Sequence, residues 1–135
     1  MYSLSIVIPL FNEIESVERL LERIDSAMTA SPFPWELVLV DDGSTDGTTE
    51  STEKLIEKYG KHQHLLQLQR NYGKATALQA GIDYASGDII ITMDADLQDN
   101  PEEIPAMVQM IQEDQYDMVS GWKKNSFQWF QVIEC

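Results

Sequence analysis

The sequence predicts an α/β fold in which a mainly parallel β-sheet carries helices on both faces. Short apolar runs, which are typical of buried strands, alternate along the chain with longer segments of helical character. A parallel strand can follow another only after a crossover, usually a helix, so this alternation favours a parallel sheet. The length of 135 residues indicates one domain, which is large enough to bury a core without disulfide bonds.

Each predicted element follows from its local pattern. Short apolar runs predict strands at residues 4–8, 35–40, 65–68, 88–93 and 116–120. Longer segments are predicted to be helices at residues 14–28, 48–59, 74–84 and 102–113. Gly60 is placed to end the second helix, and Asn100 is a candidate N-cap for the fourth, with Pro101 in its first turn.

Composition narrows the classes of function. The net charge of −14 argues against a nucleic-acid-binding protein, which needs clustered Lys and Arg, and against docking on an anionic membrane by charge alone. Cys135 is the single cysteine, so no disulfide is expected within the chain and a cytoplasmic location fits best. The N-terminus has no signal-peptide pattern, and no run of about 18 apolar residues predicts a membrane span.

Acidic clusters follow three of the predicted strands. Because ligands of open α/β sheets bind beyond the carboxyl ends of the strands, these clusters are expected along one cleft. The carboxylates concerned, up to six, are Glu13, Asp41, Asp42, Asp94, Asp96 and Asp99. They would repel one another unless a cation or hydrogen-bond donors offset their charge. Mg²⁺ or Mn²⁺ suits such a cleft, because hard cations take oxygen ligands and leave positions free for phosphate.

Each acidic cluster also has a simpler interpretation. Residues 41–43 could be only a turn with an Asx cap, and residues 94–96 could be a solvated strand end. An EF-hand loop beginning at Asp42 is disfavoured, because a strand and not a helix precedes it. Thr49 also stands where such a loop would carry a large apolar residue.

Two basic residues are predicted near the same edge. Arg70 and Lys74 fall at the end of the third strand and the start of the third helix. They could receive phosphate or serve as counter-charge for the acidic edge, and the sequence leaves both interpretations open. A Rossmann dehydrogenase is disfavoured, because no G-x-G-x-x-G follows the first strand.

Several segments resemble the motifs of family 2 glycosyltransferases, most closely the polyprenyl-phosphate branch that includes dolichol-phosphate mannosyltransferase and bactoprenol glucosyltransferases. They are residues 5–13, 38–48, 70–74, 93–99 and, as the start of a further motif, 121–125. The resemblance implies a GT-A (Rossmann-like) fold that is incomplete at the C-terminus. It also implies a nucleotide-sugar-binding domain at residues 1–125, followed by a short tail at 126–135.

The resemblance assigns nucleoside contacts to residues at matching positions. It implies that Pro9, Phe11, Glu13 and Asp42 hold the nucleoside, with Val40 near the base. Phe11 stands where the family usually has Tyr, so a hydroxyl contact is lost while stacking can persist.

The resemblance also assigns the diphosphate end of the site. Asp94, Ala95 and Asp96 match the D-x-D signature, so Asp94 and Asp96 are the candidate catalytic residues and all three are expected at the donor. Asp96 with Gln98 would bind the Mg²⁺ or Mn²⁺ that bridges the diphosphate, and Lys74 would lie close to the donor.

The implied reaction is an inverting transfer of a hexose from a UDP- or GDP-sugar to a polyprenyl phosphate. The diphosphate leaving group needs its charge stabilised, which a divalent metal does directly. A phosphate acceptor is already a nucleophile, so the carboxylates are expected to be ligands and not the acid–base pair of a glycosidase. In full-length members, the resemblance implies a site at the cytoplasmic face of a membrane.

Two alternatives remain at this point. Family members continue past the end of this chain, so it could be a non-catalytic fragment that at most binds the donor. Residues 126–135 fit either a truncated product with a non-native ending or a short native helix or strand.

A haloacid-dehalogenase-like phosphohydrolase would use Asp94 as nucleophile and Asp96 as acid. Gln98 and the position of the motif after the fourth strand disfavour it.

Overall fold

The computed structural model describes residues 2–60, 62–98, 100–114, 118–122 and 129–134, with side chains through residue 113. The strands are β1 Leu4–Leu10, β2 Trp35–Asp41, β3 Gln63–Gln67, β4 Ile89–Thr92, β5 Met118–Trp122 and β6 Trp129–Glu134. The α-helices are α1 Val17–Thr29, α2 Thr48–Tyr59, α3 Lys74–Tyr84 and α4 Ile104–Asp114. A 3-10 turn at Pro101–Glu103 leads into α4.

The strands form one sheet in the order β3-β2-β1-β4-β6-β5. β1 pairs in parallel with β2 and β4, and β2 pairs in parallel with β3. β1 is almost entirely buried, as expected of a central strand covered on both faces. The predicted α/β fold with a mainly parallel sheet is therefore confirmed.

The far side of the sheet is antiparallel. β6 lies between β4 and β5 and is antiparallel to both. Ile91 of β4, for example, stands opposite Val132 of β6. The predicted tail at 126–135 thus contains a strand, although its separation from a domain at 1–125 stays a prediction. Residues 123–128 and Cys135 lie outside the described residues.

The two faces of the sheet carry different helices. The larger core packs α1, α2 and α4 against alternate side chains of the central strands, among them Ile6 and Ile8. The smaller core packs α3 against the other alternate side chains, among them Val7 and Val40. This division follows from the period of two along a strand, which sends neighbouring side chains to opposite faces.

Most predicted boundaries agree with the structure to within a few residues, and α2 and α3 have the predicted limits. Asn100 occupies the N-cap position of the 3-10 turn that precedes α4, but its side chain makes no capping hydrogen bond. Its Oδ1 instead accepts from Arg23 Nη2 at 3.0 Å, while Pro101 begins the 3-10 turn. Tyr116, at the start of the predicted fifth strand, lies outside the described residues.

Candidate functional site

A pocket of about 290 Å³ opens at the carboxyl edge of the sheet. The chain segments that follow β1, β2, β3 and β4 all contribute to its wall. Its lining residues are Pro9, Leu10, Phe11, Glu13, Asp42, Asn71, Gly73, Lys74, Asp94, Ala95 and Asp96. Most of the residues predicted for the donor site therefore lie together.

The topology explains why the pocket forms there. β2 and β3 extend the sheet on one side of β1, whereas β4 pairs with its other side. α3, which connects β3 to β4, accordingly lies on the face opposite α1 and α2. Crossovers that diverge to opposite faces leave a crevice beyond the strand ends, and open α/β sheets bind ligands in such a crevice.

The first wall of the pocket is the segment after β1. Phe11 is 46% exposed and offers its ring to the solvent side. The backbone then turns sharply at Asn12, which has a φ of 52°. The Asn12 N–H donates to Ser44 Oγ at 2.9 Å, and the Thr45 N–H donates to Asn12 Oδ1 at 2.8 Å. These bonds fasten the loop after β1 to the loop after β2.

A second set of hydrogen bonds joins the same two loops. Asp46 accepts from the backbone N–H of Ile14 at 3.2 Å and of Thr48 at 3.0 Å. Desolvation raises the pKa of Asp46, but the hydrogen bonds from Thr48 and Ile14 outweigh it and leave the pKa below its ordinary value. Asp46 is thus held ionised as a loop support, which the sequence pattern did not reveal.

The paired acids after β2 have separate surroundings. Both are buried, each with 3% exposure. Asp41 accepts from the Ser44 N–H at 3.1 Å and from the Thr49 hydroxyl. Asp42 lines the pocket. The expectation of six carboxylates at one cleft is therefore wrong for Asp41, which supports the turn that follows it.

Four of the predicted carboxylates do line the pocket, namely Glu13, Asp42, Asp94 and Asp96. Asp99 lies outside the described residues. Lys74 is placed among these acids, and its ammonium group pairs with the Asp94 carboxylate. The sequence left two roles open for Lys74, phosphate binding and counter-charge for the acidic edge. The pair with Asp94 shows the second of these roles.

The D-x-D segment is anchored by its middle residue. Ala95 is 4% exposed and belongs to the larger core. Asp96 Oδ1 accepts from the backbone N–H of Gln98 at 3.1 Å. Leu97 has a positive φ of 64°, and Arg23 Nη1 donates to its carbonyl at 3.1 Å. Arg23, which lies on α1 far away in sequence, is a supporting residue that motif reading missed.

Two predicted residues do not line the pocket. Val40 is 0% exposed and packs in the smaller core beneath α3, so its side chain offers no surface to a ligand. Gln98 is absent from the lining and meets Asp96 through its backbone N–H.

Asn71 and Gly73 line the pocket although neither was singled out. The 70–74 motif that contains them was the available signal.

The acidic residues fit a divalent metal only in part. Within the described part of the chain, no three His, Cys, Asp or Glu side chains converge closely enough to hold an ion. Asp94 and Asp96 nevertheless present carboxylates at one wall of the pocket. Mg²⁺ and similar hard cations are commonly held by one or two carboxylates, with phosphate and water completing the shell. The donor set suits a metal that arrives with a phosphorylated ligand.

None of the described helices is both long enough and apolar enough to cross a membrane.

Two relatives align with nearly the whole chain. It is 48% identical over 122 residues to a dodecaprenyl-phosphate galacturonate synthase of Rhizobium johnstonii, covering 90% of this chain and 36% of the relative. It is 44% identical over 121 residues to an undecaprenyl-phosphate 4-deoxy-4-formamido-L-arabinose transferase of Serratia proteamaculans, covering 90% of this chain and 37% of the relative. The chain thus spans little more than a third of the length of these relatives.

A solved structure matches the fold. It is the mannosyltransferase of Pyrobaculum calidifontis in complex with GDP-Man and Mn²⁺, with a TM-score of 0.78 and 26% identity. The superposition covers 91% of this chain and 36% of that one. The sheet and helices described above are therefore those of the GT-A fold.

The family model that matches this sequence is that of glycosyl transferase family 2, and it covers residues 5–128. The match includes the segments after β1, β2, β3 and β4 that line the pocket. It removes the phosphohydrolase alternative, which shared only an apolar strand leading into D-x-D. The chain belongs to glycosyl transferase family 2.

Proposed function

We propose that this chain forms the donor-binding part of an inverting glycosyltransferase, which transfers a hexose from a UDP- or GDP-sugar to a polyprenyl phosphate. The observation that carries the proposal is the pocket itself. Asp94, Asp96 and Lys74 line the same pocket as Pro9, Phe11 and Glu13, at the carboxyl edge of the sheet. Carboxylates, one ammonium and an exposed aromatic ring in one pocket suit a ligand with a charged end and a planar end.

The planar end of the ligand is proposed to lie at the segment 9–13. Phe11 is the exposed ring of this wall, and Pro9 and Glu13 stand beside it. An aromatic face can stack on a nucleobase of either kind. The carboxylate of Glu13 can accept hydrogen bonds from hydroxyl groups. The pocket wall therefore suits the base of either UDP or GDP.

The diphosphate end is proposed to lie at residues 94–96. Asp96, with Asp94 beside it, would hold Mg²⁺ or Mn²⁺, and the metal would supply charge neutralisation for the diphosphate leaving group. The Mn²⁺ in the complex of the Pyrobaculum mannosyltransferase supports this choice of cofactor. Lys74 lies at the same end of the pocket and can donate to phosphate oxygens.

The acceptor is proposed to be a polyprenyl phosphate on the cytoplasmic face of a membrane. The names of the relatives from Rhizobium and Serratia support this class of acceptor. An anionic phosphate acceptor is already nucleophilic, so no residue of the pocket is needed as a strong general base. Asp94 and Asp96 are accordingly proposed as ligands and charge-positioning groups.

Calorimetric titration with UDP and GDP, with and without Mn²⁺, tests the donor site. We expect one nucleotide to bind and Mn²⁺ to strengthen its binding. Asp96→Asn should weaken binding in Mn²⁺ by roughly tenfold or more, because even supporting contacts of a metal ligand are worth that much. Asp83→Asn is the matched control, since Asp83 is an exposed acid of α3 outside the pocket. Failure of the folded chain to bind either nucleotide would refute the donor site.

Transfer itself needs a separate assay, because a fragment that binds the donor without turning it over is the alternative. Membranes that contain polyprenyl phosphate would be incubated with the chain and a radiolabelled sugar donor. Turnover that disappears in Asp96→Asn supports the enzyme. Donor binding without turnover supports the non-catalytic alternative.

A further inference from the structure

We infer that Asp42 is a positioning residue, which holds the loop of residues 70–73 and thereby keeps Lys74 in the pocket. The inference rests on the proposed function, because it concerns how the donor pocket keeps its cation. It adds to the role that sequence resemblance implies for Asp42, a direct contact with the nucleoside.

The carboxylate of Asp42 is occupied by the backbone of that loop. Its Oδ1 accepts from the N–H of Tyr72 at 2.8 Å, and its Oδ2 accepts from the N–H of Gly73 at 3.0 Å. The residue is 3% exposed, so these two bonds satisfy a charge that burial would otherwise make costly. Two consecutive backbone groups are thereby fixed relative to the end of β2.

A close backbone contact holds the same loop from beside Asp42. A Cβ on Gly43 would lie 2.5 Å from the carbonyl carbon of Arg70 and 2.5 Å from the nitrogen of Asn71. Gly43 also has a φ of 75°, which residues with side chains adopt rarely. The loop is therefore seated directly on the backbone of residues 42–43, by contact as well as by hydrogen bonds.

The loop of residues 70–73 leads directly into Lys74, the basic residue of the pocket. Gly73, with a φ of 104°, is the last residue before α3, and Lys74 is the first residue of that helix. The Lys74 ammonium reaches across to Asp94, while its side chain is 58% exposed and has little packing of its own. Its position therefore depends on its backbone, which the bond from Gly73 to Asp42 fixes at the preceding residue.

The consequence concerns the charge of the pocket. Lys74 is the only basic residue among the described residues that line it, and four acidic residues line the same pocket. If the loop were released, the pocket would present mainly negative charge and would repel a diphosphate. An acidic residue, Asp42, would in this way favour the binding of an anion through the position of Lys74.

The first test uses the ligand-free chain. The rate at which an amine-acylating reagent modifies Lys74 would be measured by peptide mass spectrometry in the wild type and in Asp42→Asn. An amide at position 42 cannot accept both backbone N–H groups with its two terminal atoms. We expect a several-fold rise in the rate at Lys74, with no change at Lys58 on α2. An unchanged rate at Lys74 would overturn the inference.

Asp41→Asn is the matched control variant. Asp41 is buried to the same extent as its neighbour, but its partners are Ser44 and Thr49 and not the 70–73 loop. An equal rise at Lys74 in Asp41→Asn would point to general loosening and would also overturn the inference. If the variants do not fold, amide hydrogen exchange in the wild type decides. Tyr72 and Gly73 should be protected, and exchange at the unprotected rate would contradict the proposed contacts.

The second test separates positioning from direct contact. Affinity for the nucleoside diphosphate with Mn²⁺, and for the corresponding nucleoside alone, would be measured in Asp42→Asn, Lys74→Met and the double variant. Positioning predicts that Asp42→Asn weakens diphosphate binding by roughly threefold to tenfold more than it weakens nucleoside binding, and that this excess is lost when Lys74 is absent. Additive losses, with nucleoside and diphosphate binding weakened to the same degree, would instead leave Asp42 with a nucleoside contact alone.

Failure of the inference is distinguishable from failure of the proposed function. A wild-type chain that binds no nucleotide would refute the donor site, yet the reactivity of Lys74 and the protection of the Tyr72 and Gly73 amides would still report on the role of Asp42. Nucleotide binding together with an unchanged Lys74 rate would refute the positioning role alone.

Discussion

Gln63, at the start of β3, buries a polar group at a cost. The residue is 6% exposed, and neither its Oε1 nor its Nε2 has a hydrogen-bond partner among the described residues. A buried amide without partners loses its hydration and gains nothing in return. Sequence patterns do not reveal such a residue, because a glutamine at a strand end is usually solvated.

Replacing this amide should therefore stabilise the chain. We expect Gln63→Met, which keeps the length of the side chain, to raise the free energy of unfolding by about 1 kcal/mol and the melting temperature by a few degrees. Thermal unfolding followed by circular dichroism measures the change. Gln69→Met, two residues after the strand, is the control, because Gln69 is exposed and a change within about 0.5 kcal/mol is expected there. A lower melting temperature for Gln63→Met would show that the amide is bonded in solution.

At the scale of elements, α3 lies unusually close to the sheet. Gly81 faces the strands, and a Cβ there would lie 2.3 Å from Val7 Cγ1 and 3.0 Å from Val40 Cγ2. Ala77, one turn earlier, is also buried. Small residues four positions apart on one face let the helix approach the strands. The sequence predicted the limits of α3 but not the face that it buries, which depends on the strands it meets.

Gly81→Ala should destabilise the chain although alanine is the better helix former. The propensity gain is about 1 kcal/mol, whereas forcing a methyl group into a packed core costs about 1–3 kcal/mol. We expect a net loss in the free energy of unfolding, measured by urea denaturation. Thr76→Ala, at an exposed position of the same helix, carries the propensity gain without the clash and should be neutral or slightly stabilising. Equal stability of Gly81→Ala and the wild type would mean that α3 can move away from the sheet at little cost.

At the scale of the whole molecule, Glu36 joins several elements at the edge opposite the pocket. Its Oε1 accepts from the Ser5 hydroxyl of β1 at 2.6 Å and from the Ser86 N–H, after α3, at 2.7 Å. Its Oε2 lies 3.4 Å from His64 Nε2 of β3. Desolvation raises the pKa of Glu36. The hydrogen bonds from Ser5 and Ser86 and the charge of His64 together outweigh this effect, so the pKa lies below its ordinary value of 4.5.

This lowered pKa makes part of the stability dependent on pH. Because the folded chain favours the ionised carboxylate, Glu36 contributes stability fully above its unfolded pKa and loses it as pH falls through the lower folded pKa. We expect Glu36→Gln to lower the melting temperature near pH 7, with a difference from the wild type that shrinks as pH falls below 4.5. Melting curves of both proteins across this range test it, since the other carboxylates contribute equally to each. A difference in melting temperature that is independent of pH would mean that the charge of Glu36 does not contribute to stability.

Local pattern was sufficient where each element depends on its own residues. The limits of α2 and α3 agreed with prediction, since turn residues, Gly60 and apolar spacing act within a few positions. The motif order also identified the family and most of the pocket lining. β6 was not resolved from the sequence because its place between β4 and β5 depends on pairing with distant strands.

The acidic strand ends mark the division between sequence and tertiary structure. The sequence by itself determined that acids follow β2 and β4 and that these ends meet at one edge, because parallel strands point the same way. Only the tertiary structure decided that Asp41 supports its own turn while Asp42 holds the 70–73 loop. Adjacent side chains diverge at a strand end, and their partners lie up to 31 residues away. Which carboxylate meets which group is therefore set by long-range packing and not by local pattern.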